Sequence, residues 1–170
     1  MSHHDAYIKF FSGQNFHGDA WECSTDTPVL PTKMNHRAHS AIVYGPKNWY
    51  VFVGKWYYGK RVLLKPGKYP EWTDLPGPVA SCKISDDANL LVLYEHVNYR
   101  GKNYEIKNSV PGLGFFDNLA SSAQVFGPGQ FTLYEQEDYE GRKKTLAAGS
   151  YSTPDFLPGN DMVCSVKAEF

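Results

Sequence analysis

The side chains in this chain that could carry out catalysis are few, and they follow no known catalytic pattern. The sequence contains no Gly-x-Ser-x-Gly, His-Glu-x-x-His, phosphate-binding loop or Cys-x-x-Cys motif. Glu135, Glu137 and Asp138 fall close together on a predicted hairpin, where such a group is typical of a solvated face rather than an acid/base pair. We therefore expect a protein that is not an enzyme.

Histidine and cysteine give only weak indications of a metal site or a disulfide. His36 and His39 would share a zinc ion if they lay on one face of a helix, but their segment is a predicted loop. The cysteines, Cys23, Cys82 and Cys164, are odd in number and far apart in sequence. We expect three small buried thiols and no disulfide framework. Cys82 and Cys164 are interpreted as equivalent positions of a repeat.

That repeat is a spacing of two aromatic residues and a glycine. An aromatic residue, four others, a second aromatic, one residue and a glycine occur in order four times, at intervals of about 40 residues. The pattern predicts four supersecondary units, each with a folded hairpin that stacks its two aromatics and reverses at the glycine. The four copies are Phe11–Phe16–Gly18, Phe52–Tyr57–Gly59, Tyr94–Tyr99–Gly101 and Tyr134–Tyr139–Gly141.

The four repeats alternate between two types. Residues 40–46 of repeat one resemble residues 122–128 of repeat three, and residues 67–69 of repeat two resemble residues 149–151 of repeat four. This ABAB order indicates a two-repeat domain that has been duplicated once. We place the domains at residues 1–86 and 87–170, because the polar segment between them is suited to a linker.

Local composition predicts strands rather than helices. Fifteen glycines and eleven prolines interrupt short stretches rich in β-branched and aromatic residues. No segment keeps helical periodicity for three turns, although a single helical turn is possible at 70–74 and at 153–156. We predict an all-β protein with four strands per repeat, in which two repeats form a Greek-key sandwich. The clearest strands are 49–52, 62–64, 90–94 and 131–134.

Bulk composition excludes several classes of protein. With 42% hydrophobic and 15% aromatic residues, the chain should form a packed globule. A net charge of −1 gives no reason to expect a nucleic acid or an anionic membrane as partner. We predict no transmembrane segment, and the polar start is unlike a signal peptide. A leader removed earlier would leave the same sequence, so a cytoplasmic and a secreted location both stay open.

The repeated aromatic and glycine hairpin, the repeat length and a late serine before each last strand resemble the βγ-crystallin superfamily. The resemblance covers essentially the whole chain, and it implies two wedge-shaped domains, each built from two Greek keys. All four tryptophans, at positions 21, 49, 56 and 72, lie in the first domain. That distribution is similar to a non-lens or microbial member rather than to a vertebrate lens protein.

The resemblance also implies calcium binding through a loop that reads Asn/Asp-Asn/Asp-x-x-Ser/Thr-Ser. Residues 117–122 of repeat three fit in full, whereas residues 160–165 of repeat four carry Cys164 where a hydroxyl is wanted. Residues 35–40 of repeat one and 78–83 of repeat two lack suitable ligands. By resemblance, calcium is therefore bound by the C-terminal domain alone.

The implied sites combine side-chain and main-chain oxygens, which suit a hard cation such as Ca²⁺. A simpler interpretation is that the polar residues of the loop only cap a turn. One implied site uses Asp117, the Leu119 carbonyl, the Ser121 hydroxyl and the Glu135 carbonyl. A weaker sister site uses Asn160, the Met162 carbonyl and the Glu95 carbonyl.

Two functions follow as hypotheses. The first is a non-enzymatic, crystallin-like structural or stress-type protein, monomeric or paired through its domains, whose fold is stabilised by calcium. The alternative is a calcium-independent module, such as an inhibitor, a toxin component or a subunit, that binds a protein or glycan partner. The alternative rests on an excess of aromatic residues in the first domain: Trp49, Tyr50, Trp56, Tyr57, Tyr58, Tyr69 and Trp72.

Overall fold

The computed structural model describes residues 6–72, 78–116, 119–158 and 162–170. The chain divides into two compact domains, Met1–Asp86 and Asp87–Phe170. Over the described ranges the regular structure consists of β-strands and single 3-10 turns, without an α-helix. In the same ranges no helix is long and apolar enough to cross a membrane.

The N-terminal domain contains two antiparallel sheets. The first sheet has the strand order β2-β1-β3-β6 and the second has the order β5-β4-β7, where strands are numbered in chain order. The bounds are β1 (Tyr7–Phe11), β2 (Ala20–Cys23), β3 (Ser40–Tyr44), β4 (Asn48–Phe52), β5 (Arg61–Leu64), β6 (Gly67–Tyr69) and β7 (Ser81–Ser85).

The C-terminal domain repeats this arrangement. The bounds are β8 (Leu90–His96), β9 (Arg100–Ile106), β10 (Ser122–Phe126), β11 (Gln130–Gln136), β12 (Glu140–Leu146), β13 (Gly149–Tyr151) and β14 (Ser165–Glu169). One sheet has the order β13-β10-β8-β9 and the other has the order β12-β11-β14. The ABAB order of the sequence is therefore present in the sheets as well, and the all-β prediction is confirmed.

The two Greek keys of each domain exchange their third strands. Strand β6 belongs to repeat two but pairs with β3 of repeat one, and β13 pairs with β10 in the same way. Repeats one and three each contribute a single β-bridge to the sheet of the sister repeat. Thr27 pairs with Cys82 of β7, and Val110 pairs with Val166 of β14. The expectation of four full strands per repeat is therefore too high for repeats one and three. A proline follows each bridge residue, and a proline has no N–H to extend a ladder.

Each domain buries its own apolar cluster between its two sheets. In the N-terminal domain, Ile8 and Phe10 of β1 face Trp49 and Val51 of β4 in one cluster. The C-terminal cluster includes alternate residues of β8 and β11, as expected for strands with one inward face. The burial of Trp49 explains part of the aromatic excess in the first domain.

The folded hairpins contain residues in the left-handed backbone region. Each hairpin has two consecutive non-glycine residues with φ between 56° and 63°, a conformation uncommon for L-residues, and then a glycine with φ between 79° and 86°. The two aromatics meet edge to face, with centroids 5.5 to 5.8 Å apart. The left-handed pairs are Asn15–Phe16, Trp56–Tyr57, Asn98–Tyr99 and Asp138–Tyr139.

A buried serine from the last strand of the same repeat closes each hairpin. In repeat three, the Ser122 hydroxyl accepts the Tyr99 N–H at 2.9 Å and donates to the His96 carbonyl at 2.6 Å. The same two bonds recur in every repeat. The late serine of the sequence therefore satisfies the two main-chain groups that the left-handed turn leaves without a ladder partner. These hairpin serines are Ser40, Ser81, Ser122 and Ser165.

Of the two helical turns that the sequence predicted, one lies wholly within the described residues. A 3-10 turn forms over Pro154–Phe156, inside the segment that the sequence indicated. The other segment, 70–74, lies partly outside the described residues.

Candidate metal centre

The predicted calcium loop of repeat three is described only from Leu119 onward, and Asp117 lies outside the described residues. Leu119 is exposed, and its N–H donates to the Phe116 carbonyl at 3.2 Å. Ser121 is half-buried, and its N–H donates to the Tyr94 carbonyl at 2.8 Å. Main-chain bonds therefore anchor the loop at two points, and neither of them uses the Ser121 hydroxyl.

A β-bulge in β9 lies opposite the end of β8 beside Ser121. Ser122 pairs with Tyr94 in the β10–β8 ladder, so Ser121 lies next to the segment that contains Glu95. The β8–β9 register steps over Glu95, between Tyr94 and His96. The extra residue of this bulge lies in β9, where Gly101 and Lys102 oppose Glu95 alone. The main-chain carbonyl of Glu95 is a candidate ligand because Glu95 directly follows Tyr94, which accepts the Ser121 N–H.

Repeat four has the same geometry with different residues. The Cys164 N–H donates to the Tyr134 carbonyl at 2.9 Å, and the β11–β12 register steps over Glu135. Cys164 is buried and Met162 is half-buried, whereas Asn160 lies outside the described residues. A thiol is a poor ligand for Ca²⁺, so this loop is the weaker of the two.

Each candidate loop bonds to the hairpin of its own repeat, and residues that precede the loops in sequence, Pro111 and Ser152, bond to the hairpin of the sister repeat. The Asp138 N–H donates to the Pro111 carbonyl at 2.8 Å, and the Asn98 N–H donates to the Ser152 carbonyl at 2.9 Å. Hairpin and loop segments of repeats three and four are therefore interleaved. The cross-repeat ligands that the resemblance implies, with Glu135 beside the Ser121 loop and Glu95 beside Met162, stay a prediction.

The two glutamates at the bulges differ in their side-chain environments. The Glu95 carboxylate accepts the Lys102 N–H at 3.3 Å and lies 3.4 Å from His96 Nε2. Glu135 packs over Gly141, and its Oε2 atom is buried without a hydrogen-bond partner. A buried carboxylate oxygen without a donor is unfavourable unless a proton or a cation compensates it.

The loop of repeat one is closed by an imidazole. His39 Nδ1 lies 2.8 Å from both the Ser12 and the Arg37 carbonyl oxygens, while His36 is exposed. The Arg37 carbonyl occupies the third loop position, which supplies a calcium ligand in the pattern. Across the described ranges no three His, Cys, Asp or Glu side chains converge as a metal site.

The structure corrects the alignment of repeat two. Ser81 closes its hairpin as Ser122 and Ser165 do, so Ser81 is the last position of the loop, which is residues 76–81 rather than 78–83. The corrected loop still has no Asp, Asn or Thr. In the ladders Cys82 corresponds to Val166, so Cys82 and Cys164 are not equivalent as the sequence reading had it.

The aromatic residues of the N-terminal domain divide into buried and exposed groups. Trp49 and Tyr50 are buried, whereas Trp56 is 69% and Tyr58 is 50% exposed. Trp56 occupies the left-handed position (φ 58°, ψ 34°) at which the other hairpins have asparagine or aspartate. The Trp56 N–H donates to the Pro28 carbonyl, next to the exposed Val29, and we term the exposed side chains of Val29, Trp56 and Tyr58 the Trp56 surface. Tyr57, Tyr69 and Trp72 are half-buried.

Comparison with known proteins identifies similarity over both domains. A family model described as Beta/Gamma crystallin matches residues 7–86 and 90–168. Gamma-crystallin D from Bos taurus is 32% identical over 151 residues, which is 85% of each chain. Gamma-crystallin N-A from Danio rerio is 27% identical over 160 residues, or 89% of this chain and 87% of the relative.

The similarity extends to a solved structure. Geodin, a beta-gamma crystallin from Geodia cydonium, superposes with a TM-score of 0.62 at 24% sequence identity. The superposition covers 97% of this chain and 99% of geodin.

Proposed function

The chain belongs to the beta/gamma crystallin family, and from this premise we propose that it is a crystallin-like structural protein whose C-terminal domain binds calcium. The observation that carries the calcium proposal is the position of Ser121. Its N–H donates to the Tyr94 carbonyl, and the next residue of β8 is Glu95, whose main-chain carbonyl is a candidate ligand. A hydroxyl, a loop carbonyl and a hairpin carbonyl together are the kind of oxygen ligands that Ca²⁺ takes.

The stronger site consists of the Asp117 carboxylate, the Leu119 carbonyl, the Ser121 hydroxyl and one hairpin carbonyl. Resemblance names the carbonyl of Glu135, and a cation nearby would compensate the one Glu135 carboxylate oxygen, Oε2, that is buried without a hydrogen-bond partner. The Tyr94 contact favours Glu95 as a further carbonyl ligand. Since Ca²⁺ takes six to eight oxygens, water completes the set. The sister site of Asn160 and Met162 is weaker, because Cys164 replaces a hydroxyl.

Calcium would act through linkage. An ion that binds only the folded state stabilises it by about 2.7 kcal/mol at a hundredfold excess over Kd. For a domain of this size, that gain corresponds to a rise of about 10 to 20 °C in Tm. Calcium is therefore proposed as a stabiliser of a structural protein and not as a catalytic ion.

The proposal is tested by isothermal titration of calcium into chelator-stripped protein. We expect heat with one strong site, which Ser121→Ala removes together with most of the calcium-induced rise in Tm. The substitution keeps the Ser121 N–H bond, so the apo fold should be unchanged. Ser24→Ala, an exposed serine in the other domain, is the matched control.

Replacement of Cys164 provides a gain-of-function test of the same geometry. Cys164→Ser restores a hydroxyl at the fifth loop position and should strengthen the second site. The calcium proposal fails if the wild-type protein gives no heat up to millimolar calcium, or if Ser121→Ala binds as the wild type does.

A second candidate function is supported by the Trp56 surface. A tryptophan that is 69% exposed in a left-handed conformation is unfavourable for a monomer, and exposed aromatics are enriched at binding surfaces. We propose a protein or glycan partner there. An oligosaccharide array and a pull-down, each repeated with Trp56→Asn, test this function. Binding that Trp56→Asn retains would contradict it.

A further inference from the structure

Two cysteines from different Greek keys meet inside the N-terminal domain. Cys23 ends β2 of repeat one, and Cys82 lies in β7 of repeat two. Their Sγ atoms are 3.6 Å apart, although 59 positions separate them in sequence. Both side chains are buried, and both thiols are free.

Main-chain hydrogen bonds hold Cys82 close to the segment that follows Cys23. Thr27 forms an antiparallel bridge with Cys82, in which the Thr27 N–H donates at 2.8 Å and the Cys82 N–H donates at 3.0 Å. Cys82 also pairs with Val51 in the middle of its sheet. A disulfide has an S–S length near 2.05 Å, so the two sulfurs need to approach by only about 1.5 Å, a distance that side-chain rotation can supply.

The two thiols have different proton affinities. The Cys82 thiol donates a hydrogen bond to Cys23 Sγ, and the Thr27 hydroxyl lies 2.7 Å from the same sulfur. The Cys82 hydrogen bond, assisted by Thr27, lowers the pKa of Cys23 to about 7 in spite of burial. The same hydrogen bond, together with burial, raises the pKa of Cys82. Cys23 is therefore the first of the two thiols to lose its proton and is the attacking group, and Cys82 reacts second.

We propose that Cys23 and Cys82 form a reversible disulfide that joins the first and second Greek keys, with a hydroperoxide as the oxidant. The Cys23 thiolate attacks the outer peroxide oxygen and becomes a sulfenic acid, and the peroxide O–O bond breaks to release an alcohol or water. The Cys82 sulfur then attacks the sulfenic sulfur. The S–O bond breaks, and the hydroxide leaves as water with the Cys82 proton. Two thiols lose two electrons, and the peroxide gains them.

The surroundings of the pair favour entry of the oxidant from the Cys23 side. Residues 24–26, which follow Cys23 directly, are exposed, whereas Cys82 has no exposed surface. Cys164 is the single cysteine of the other domain. The oxidised protein should therefore contain one internal disulfide and keep Cys164 reduced.

The disulfide would close a loop of about 60 residues, and longer closed loops restrict the unfolded chain more. A disulfide typically contributes about 2–4 kcal/mol, so we expect oxidation to raise the Tm of the N-terminal domain by about 10 to 30 °C. A dithiol reductant should reverse the rise.

The first test treats reduced protein with a small excess of hydrogen peroxide and then counts thiols in denaturant. We expect the count to fall from three to one, with a monomer about 2 Da lighter and a tryptic peptide that links Cys23 to Cys82. Cys164→Ala, the matched control, should still lose two thiols. Its rate of oxidation should rise with pH and be half-maximal near pH 7, where the pKa of Cys23 lies.

Cys82→Ala separates the two steps. This variant should stop at a sulfenic acid on Cys23, which a dimedone adduct reports. A link that contains Cys164, a link between two chains, or no loss of thiols in folded wild-type protein would overturn the proposal. The peptide map of the wild type decides the question even if Cys82→Ala does not fold.

Discussion

Ser122 provides the sharpest test of how the hairpins are held. Its hydroxyl is fully buried, accepts the Tyr99 N–H at 2.9 Å and donates to the His96 carbonyl at 2.6 Å. Ser122→Ala removes both bonds and changes little volume. The left-handed turn at Asn98 and Tyr99 would then lose the side chain that satisfies its main chain.

The expected magnitude follows from these two bonds. Each contributes about 0.5–1.5 kcal/mol net, and the Tyr99 N–H left buried without an acceptor costs about 1–3 kcal/mol. We expect a loss of about 3 kcal/mol from the C-terminal domain. That is a large share of the roughly 4 to 13 kcal/mol typical for about 84 residues, and it corresponds to a fall in Tm of about 10 to 20 °C.

The assay uses the uneven distribution of tryptophan. All four tryptophans lie in the N-terminal domain, so their emission follows unfolding of that domain, while far-UV circular dichroism follows both. In urea, Ser122→Ala should lower the midpoint of the C-terminal transition, which circular dichroism reports and tryptophan emission does not. The N-terminal transition, which both signals report, should keep its midpoint. Ser121→Ala, measured in chelator, is the matched control: it removes a neighbouring hydroxyl but keeps the N–H bond to Tyr94.

A C-terminal transition in Ser122→Ala within about 0.5 kcal/mol of that in the wild type would refute the reasoning. The buried serine would then be only a small residue that fits the strand, and the hairpin would be held by its aromatic pair and glycine alone. An equal loss in both variants would show that loss of any hydroxyl in this loop has the same effect.

Two further substitutions test backbone strain in the hairpins. Trp56→Asn should stabilise the N-terminal domain by about 1 kcal/mol, because asparagine accepts φ 58° more readily than tryptophan; a lower urea midpoint would mean that contacts of Trp56 outweigh the strain. Gly101→Ala should destabilise the C-terminal domain by at least about 1 kcal/mol more than Gly114→Ala. Both glycines have positive φ, but only at Gly101 would an added Cβ collide, because it would lie 2.6 Å from His96 Cδ2. Equal losses of stability in the two variants would mean that positive φ alone, and not the collision, destabilises the domain.

The fold was predictable because its local signals agree with one another. The aromatic and glycine spacing marks each hairpin, and the predicted strands 49–52 and 131–134 lie inside β4 and β11. The exchange of third strands had no such local signal. Which sheet Gly67–Tyr69 joins is decided by packing between repeats, and a three-residue strand carries too little pattern to show it.

The error in repeat two has a structural cause. Counting residues from the previous repeats placed Cys82 opposite Cys164, but the ladders place Cys82 opposite Val166. The fixed point is the hairpin serine, because its hydroxyl must reach two main-chain groups. A loop can change length by two residues at small cost in entropy, whereas that serine cannot move.

For the candidate metal centre the sequence predicts residue types, which stay a prediction, and it does not predict contacts. Loop composition identified Ser121 and Leu119, whereas the hairpin carbonyl that faces them depends on strand register. The Cys23–Cys82 pair is a harder case, because the two thiols are brought together by a bridge between β7 and a loop of the other repeat. No spacing in the sequence encodes a contact across 59 positions.

The four hairpins separate residues that the fold requires from residues that it only tolerates. Aromatic pair, glycine and buried serine recur in all four, because each satisfies a geometric demand of the left-handed turn. The first left-handed position needs only a residue that accepts positive φ, and Asn15, Asn98 and Asp138 meet that need. Trp56 does not readily accept positive φ, and its side chain is exposed. A residue that breaks a local rule without a packing gain is best explained by a function outside the fold, which is why the N-terminal domain is where a partner should be sought.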